Sequence, residues 1–345
     1  MKSVQLWGAT LSICAVVSLF VSCQSSPPTP VKKTSIPSPT PAPRRAAIAE
    51  MRGVWLSDPR GQDWDRVMRD LREAGFNAIF VNFATAGAAF YPSKIVPQVS
   101  QRDEMKLCIE AARRHGIAVH AKLICFFMFW SPQEFQKKMI RERRELREPN
   151  GKPHLQTDCI WLDASLEANR AHVAAIGREI LQRYEVDGLQ LDYVRFPEIH
   201  GVSRANQSAF IDDAVSRARA ELRRAQPTKP LSASVFYQLG RARNDMGQDW
   251  TTWGRRGLVD FLCPMNYTTD NGRFAEWTRT QLRELGGSAS LHAGIGGYMF
   301  KDGDALAMQI ALARQLTPSG FVVFAYNDDF RDKLLPRLRD ADRRP

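Results

Sequence analysis

The residues of this chain whose types and spacing could do chemistry gather in one string, Asp187-Gly188-Leu189-Gln190-Leu191-Asp192-Tyr193-Val194-Arg195-Phe196-Pro197. Apolar and polar residues alternate after an Asp-Gly opening, which predicts a β-strand. Side chains two apart share a strand face, so Gln190 and Asp192 point one way and Leu189, Leu191 and Tyr193 the other. A carboxylate on an inward face is costly unless it is paired or opens on a cleft. Two readings follow: Asp192 is a catalytic carboxylate at a strand end, or it forms a salt bridge with Arg195 that only closes the fold. The first is the expectation.

One carboxylate rarely works alone. Cleaving a glycosidic bond takes two carboxyl groups, one to protonate the leaving oxygen and one as nucleophile or base. The sequence leaves the second open among Asp58, Glu198, Asp270, Asp328 and Asp329. Asp328 is preferred, because it follows a last strand that closes beside the first; Asp329 reads better as the N-cap of the final helix. A missing second acid also fits substrate-assisted chemistry, in which an N-acetyl group of the sugar attacks. Expected substrate contacts are Arg52, Trp55, Asn82, His120, Trp130, Arg195, Asn266, Tyr267 and Tyr326, all at or near strand ends. Arg52 is expected to meet a carboxylate inside the mouth of the fold, and His120 equally fits a satisfied core histidine. No phosphate loop, zinc helix, nucleophile elbow or Cys/His dyad stands out, so no cofactor and no metal is expected. Lys122 is the sole residue that speaks for an aldolase-like alternative.

The elements that must position these residues alternate regularly. Apolar or β-branched runs fall at Arg52–Leu56, Ala78–Phe83, Ala118–Phe126, Gly188–Phe196, Leu231–Phe236, Phe261–Tyr267, Leu291–Ile295 and Gly320–Tyr326. Amphipathic stretches lie between them, among them Trp64–Ala74, Asp103–His115, Leu166–Tyr184, Ala205–Ala225 and Asp304–Leu316. Eight β-then-α units at this length predict a single-domain α/β fold, the (β/α)8 TIM barrel, with its site where strands end. An open doubly wound sheet would carry a glycine-rich turn after strand one, and Leu56-Ser57-Asp58-Pro59 is not one. The longest strand-to-helix loop, Phe127 to Ser165, carries Phe127, Phe129, Trp130 and Trp161, which suit either a glycan cleft or the loop's own small core.

The net charge of +11 is spread along Arg-rich helices, and Lys137 to Arg147 reads as a solvated helix face. No nucleic-acid motif accompanies it, so no nucleic-acid partner is expected. At the N-terminus Lys2 precedes an apolar run ending Leu19-Phe20-Val21-Ser22-Cys23, the pattern of a secretory signal. The cysteine after Ser22 makes it resemble a bacterial lipoprotein signal, so 1–22 is expected to be removed and Cys23 lipidated. Residues 23–46 read as a Pro/Ser-rich tether, and 47–345 as the barrel. By the same resemblance, Gln24 points to the outer membrane of a double-membraned cell. Cys108 and Cys263 read as core thiols; Cys125 and Cys159 flank one loop and are a possible disulfide pair.

The strand-four string resembles that of the bacterial glycosyl-hydrolase-like family 10, extracytoplasmic barrels often made as lipoproteins. More distantly it is similar to the Asp-Gly-x-Arg-x-Asp strand of the α-amylase superfamily, with Asp192 on the nucleophile and Gln190 in place of the arginine. The closer resemblance runs from Met51 to Tyr326. It includes Arg52-Gly53-Val54-Trp55, Gly75-Phe76-Asn77, Tyr91-Pro92-Ser93, Val119-His120-Ala121 and Pro264-Met265-Asn266-Tyr267. The chain departs from it at Asn82-Phe83-Ala84, where many relatives carry Gln-x-Arg, and at Lys122, where an aromatic commonly stands. The resemblance implies glycan hydrolysis, including action on peptidoglycan strands stripped of stem peptides, by a glycosidase read as endo-acting. The rival reading is a non-catalytic glycan-binding lipoprotein on the same scaffold.

Overall fold

The computed structural model describes residues 50–341, with side chains as far as Arg339. The expected signal, tether and lipidated Cys23 lie outside the described residues. Eight parallel staves form a barrel: β1 (Met51–Leu56), β2 (Ala78–Thr85), β3 (Ala118–Ile124), β4 (Gly188–Asp192), β5 (Leu231–Val235), β6 (Phe261–Pro264), β7 (Ala293–Gly296) and β8 (Gly320–Phe324). Hydrogen bonds link them in the order β6-β5-β4-β3-β2-β1-β8-β7. The two-residue strand Ser290–Leu291 pairs with β6 and leads through His292 into β7, and a Met265–Gly294 bridge joins the two ends. The (β/α)8 barrel read from the alternation is the observed fold.

Helices follow the staves: α1 (Trp64–Glu73), α2 (Glu104–His115), α3 (Gln133–Arg141), α4 (Glu167–Arg183), α5 (Ser208–Ala225), α6 (Leu239–Met246), α7 (Trp250–Arg255), α8 (Asn271–Leu285), α9 (Gly303–Leu316) and α10 (Leu335–Ala341). The helix starts follow from local chemistry. Asp63 and Asp103 accept from the backbone N–H groups of Arg66 and Lys106, and α2 stops at Gly116 in the left-handed region. Strand parity makes two cores. Met51, Trp55, Phe80, Phe261, Cys263 and Val322 fill the barrel, while Val54, Ile79, Leu189 and Val323 face the helices. The interior leaves no slack at the foot of β4. A Cβ at Gly188 would stand 2.3 Å from the His120 ring, so only glycine lets that ring lie across the barrel.

Three expectations need correction, and one open alternative is decided. Strand four ends at Asp192 and not at Phe196, because Tyr193 takes φ 48°, a left-handed turn that breaks the pleat. Strand three likewise ends at Ile124 and not at Phe126. The Lys137–Arg147 stretch is not one helix: α3 ends at Arg141, and Arg143 turns at φ 55° into an extended segment. Cys125 and Cys159 are both free thiols, the first buried and donating to the Leu123 carbonyl, the second accepting from Gln136 Nε2.

A buried carboxylate fixes the loop that follows β1. Glu104, 1% exposed, accepts from Gly61 N–H, Trp64 Nε1, Ser100 Oγ and Arg102. Burial raises its pKa, but the hydrogen bonds from Arg102, Trp64, Gly61 and Ser100 outweigh it and hold the group below its ordinary value. A group lowered on folding contributes stability above its unfolded pKa and loses it as pH falls through the folded one. The protein is therefore expected to lose stability as pH drops from about 4.5 downward. Glu104→Gln is expected to be less stable at neutral pH and to flatten that acid limb in urea unfolding. An acid limb of unchanged slope would contradict this assignment.

Candidate active site

Asp192 closes β4 at the C-terminal mouth of the barrel, on the same inward face as Gln190. It is 5% exposed. Its Oδ2 lies 2.6 Å from Lys122 Nζ, and its Oδ1 accepts from the Tyr193 N–H at 2.8 Å. The left-handed turn at Tyr193 is uncommon for a bulky residue, and it ends the strand directly after the carboxylate. Lys122 comes from the inward face of β3 and is also buried, its ammonium 5.9 Å from the Trp55 ring and 6.0 Å from the Phe324 ring.

The salt bridge weighed for Asp192 thus exists, with Lys122 rather than Arg195 as partner. Arg195 lies beyond the end of the strand. Its guanidinium stacks 5.0 Å from the Tyr193 ring and 5.3 Å from the Trp161 ring, and it donates to the Phe196 carbonyl. Burial pushes its pKa down, and the neighbouring Tyr193, Asp192 and Glu198 oppose that shift.

Beneath the pair is a neutral floor. Gln190, fully buried, accepts from Trp55 Nε1 at 2.6 Å and from Ser234 Oγ, and donates to Ser232 Oγ and Cys263 Sγ. Trp55, expected as a substrate contact, is buried under the pair, its indole N–H held by Gln190. Asn82, 3% exposed, faces Lys122 in the β2–β3 register, and its Oδ1 meets no donor among the described residues. Tyr267 stacks on Phe324 at 5.7 Å. Burial, and next to it the Asp192 charge, push its hydroxyl pKa well up, so it stays a proton-bearing group beside the carboxylate.

Other expected residues are placed elsewhere. Arg52 points outward at the foot of β1, where it lines a cavity of about 160 Å³ with Phe76, Arg314 and Leu338, at the end of the barrel opposite Asp192. His120 lies lower inside the barrel, stacked 4.5 Å from Phe80. Asn266 is fully engaged with Thr278 and Gln281, tying the end of β6 to α8, so its amide has nothing left for a substrate. Tyr326 turns to the helix layer, where its hydroxyl nears Asp70; burial and that carboxylate push it up to about 12. Trp130 is half-buried against Phe129 and Phe90, with Arg60 over its ring. Trp161 and Phe127 are buried against one another, so the loop aromatics chiefly make the loop's own core.

None of the expected second acids touches Asp192. Asp328 is 88% exposed and pairs with Arg331. Asp58 pairs with Arg60, Glu198 with Arg241, and Asp270 caps α8. Asp329 pairs with Lys333, and it is Asn327 that accepts from the Phe330 N–H. One group in the barrel is not legible from the sequence reading. His292 lies in the barrel, stacked 4.3 Å from Phe261, its pKa pushed down to about 3 by burial and then by His120. Lys122 was noticed, but for a different chemistry; its parity with His120 was the available signal that it points inward. Among the described residues no group of three His, Cys, Asp or Glu side chains could hold a metal ion.

Removing one partner of a buried ion pair strands the other, at a cost of about 3–5 kcal/mol. Lys122→Met is expected to lose stability on that scale in urea unfolding. Adding Asp192→Asn to it removes the stranded charge and should recover a substantial part. No recovery in the double variant would mean that the two charges are not energetically coupled.

Comparison with known proteins agrees with this architecture. Residues 60–277, more than half of the chain, match the family model described as "Putative glycosyl hydrolase domain". The chain is 22% identical to the protein named glycosyl hydrolase DigH of Escherichia coli (strain K12), over 74% of each. Among solved structures it is similar to the PgaB (BpsB) glycoside hydrolase domain of Bordetella bronchiseptica, with a TM-score of 0.62 and 14% identity, over 85% of this chain and 98% of that one. It is also similar to α-L-fucosidase isoenzyme 2 of Paenibacillus thiaminolyticus, with a TM-score of 0.63 and 13% identity, over 84% of this chain and 49% of that one. At these identities the solved structures speak for the fold alone.

Proposed function

The chain belongs to this glycosyl hydrolase domain family, and from that premise we propose that it is an endo-acting glycosidase of the glycosyl-hydrolase-like family 10 kind. Its substrate is a cell-envelope polysaccharide, peptidoglycan glycan strands above all, including strands without stem peptides. The single observation that carries the reading is a carboxylate fixed at the mouth of a glycosidase-type barrel by an ammonium and a backbone N–H. A carboxylate facing a cation suits the nucleophile or base role and not that of proton donor. Asp192 is the working carboxylate, and Lys122, Asn82 and Tyr267 are its neighbours toward substrate.

The second acid stays with a group that approaches when the glycan is bound, Asp328 being the proposed one, or with the N-acetyl group of the sugar itself. One observation favours a second reading, a glycan-binding protein without turnover: each acid expected from sequence is already paired with a cation or caps a helix. Fold alone does not decide between the two.

We further propose the organisation that the N-terminus suggests: a signal at 1–22, a lipidated Cys23 and tether to residue 46, and a barrel from 47 to 345. The barrel would then work on the periplasmic side of an outer membrane. Cys23→Ser is expected to move the protein from the detergent phase to the aqueous phase in detergent partition of whole cells. Unchanged partition would exclude the lipid at Cys23.

Asp192→Asn tests the activity. The Asn oxygen can still accept from Lys122 and Tyr193, so the variant should fold, at lower stability than the wild type. On glycan strands, with products separated by chromatography and mass spectrometry, it is expected to lose about a hundredfold or more in kcat. Wild-type activity in this variant would remove Asp192 from the mechanism. A wild type that binds strands and releases no fragments would establish the binding protein instead.

A further inference from the structure

The turn after β7 holds an aromatic group that neither the sequence reading nor the comparisons assign. Gly297–Met299 forms one turn of 3-10 helix at the mouth of the barrel. Its middle residue, Tyr298, is 59% exposed, and Met299 beside it is 38% exposed. Large apolar side chains this open are few among the described residues; the others are Leu155, Leu166 and Met308.

The turn that carries Tyr298 is tightly seated. A Cβ at Gly296 would lie 3.1 Å from Tyr267 Cβ and from Met299 Sδ, and one at Gly297 would lie 2.8 Å from Val323. Two successive glycines thus let the backbone press against β8 and Tyr267. The Tyr298 ring stands nearly perpendicular to both Tyr267 and Phe324, at 5.9 and 6.0 Å. Phe324 in turn lies 6.0 Å from Lys122 Nζ, the partner of Asp192. An exposed ring is thereby held one aromatic layer away from the Lys122 ammonium that pairs with the carboxylate, on a backbone with little freedom to fold it away.

We propose that Tyr298, with Met299 beside it, is a sugar-stacking subsite that binds one pyranose ring of the glycan next to the unit engaged by Asp192. Pyranoses present apolar C–H faces, and a rigid tyrosine buries such a face at low entropic cost while its hydroxyl stays wet. The proposal rests on the glycosidase reading and adds the residue that registers the chain in the mouth. Loss of a contact made equally in ground state and transition state raises KM and leaves kcat alone, which separates a stacking platform from the catalytic groups.

The test uses the full protein, stem-peptide-free glycan strands as probe, and the variants Tyr298→Ala and Tyr298→Phe. Tyr298→Ala is expected to raise KM about three- to tenfold, the scale of one ring contact, with kcat within about twofold. Tyr298→Phe keeps the ring and should match wild type. Melting temperatures of both should stay near wild type, since the side chain is mostly in solvent. An unchanged KM in Tyr298→Ala, with wild type cleaving strands, overturns the subsite while the glycosidase reading stands. A Phe variant as weak as the Ala variant overturns it too, because the hydroxyl and not the ring would then matter. If wild type cuts nothing, the glycosidase reading falls separately, and equilibrium binding of the same strands decides the subsite: loss of affinity in Tyr298→Ala supports it, and equal affinity or no binding overturns it.

Discussion

Two opposite charges buried at the mouth of the barrel set the terms for everything around them. Lys122 and Asp192 are each about 95% withdrawn from solvent. Desolvation of that kind is repaid only by close approach and by hydrogen bonds to the remaining lone pairs. The 2.6 Å contact supplies the first and the Tyr193 N–H part of the second. The left-handed Tyr193 ends the strand directly after the carboxylate, so the chain leaves the ladder where the pair sits. The neutral floor follows from the same desolvation cost. Gln190 is satisfied by Trp55, Ser232 and Ser234 without adding charge, so the pair above it keeps its one-to-one match. The aromatic rings of Trp55 and Phe324 flank the ammonium, where the electron-rich faces of such rings favour a cation.

The fold was legible because it depends on patterns that are local. Apolar runs bounded by Gly and helices of amphipathic period repeat eight times, and each unit announces itself within about 35 residues of chain. The inward face of β4 was also legible, since parity follows from the alternation of Leu189 and Leu191 with Gln190 and Asp192. The partner of Asp192 was not. Arg195 is three residues away in sequence, whereas Lys122 comes from the neighbouring stave, and proximity in sequence was a poor guide to pairing across a ladder. Applying to β3 the parity used for β4 would have placed Lys122 and His120 inside together.

The errors at strand ends share one cause. Past the last paired residue of a strand, parity no longer fixes where a side chain points. Tyr326 and Asn266 both sit there, and each turned to the helices, Tyr326 toward Asp70 and Asn266 into an amide network with Gln281. Arg52 is a different case: Gly53 and Trp55 face the interior, so strand parity already required Arg52 to face outward. Tyr298 escaped notice because a short glycine turn carries no period to read, although Gly296-Gly297 before an aromatic residue marks a close backbone approach.

The arrangement of charges also bears on how a second acid could take part. Paired carboxyl groups in glycosidases stand about 5–9.5 Å apart, never in contact, because a sugar or a water must pass between them. That no expected acid touches Asp192 is therefore compatible with a two-carboxylate mechanism. What the structure adds is that the near space around Asp192 is already taken by a cation, a backbone donor and Tyr267, whose hydroxyl keeps its proton. Any second acid must then act from across the substrate, on the face away from Lys122. On the proposed glycosidase reading the glycan would complete the site by spanning the gap, and the exposed rim, where Tyr298 stands, would decide how the chain is laid across the carboxylate.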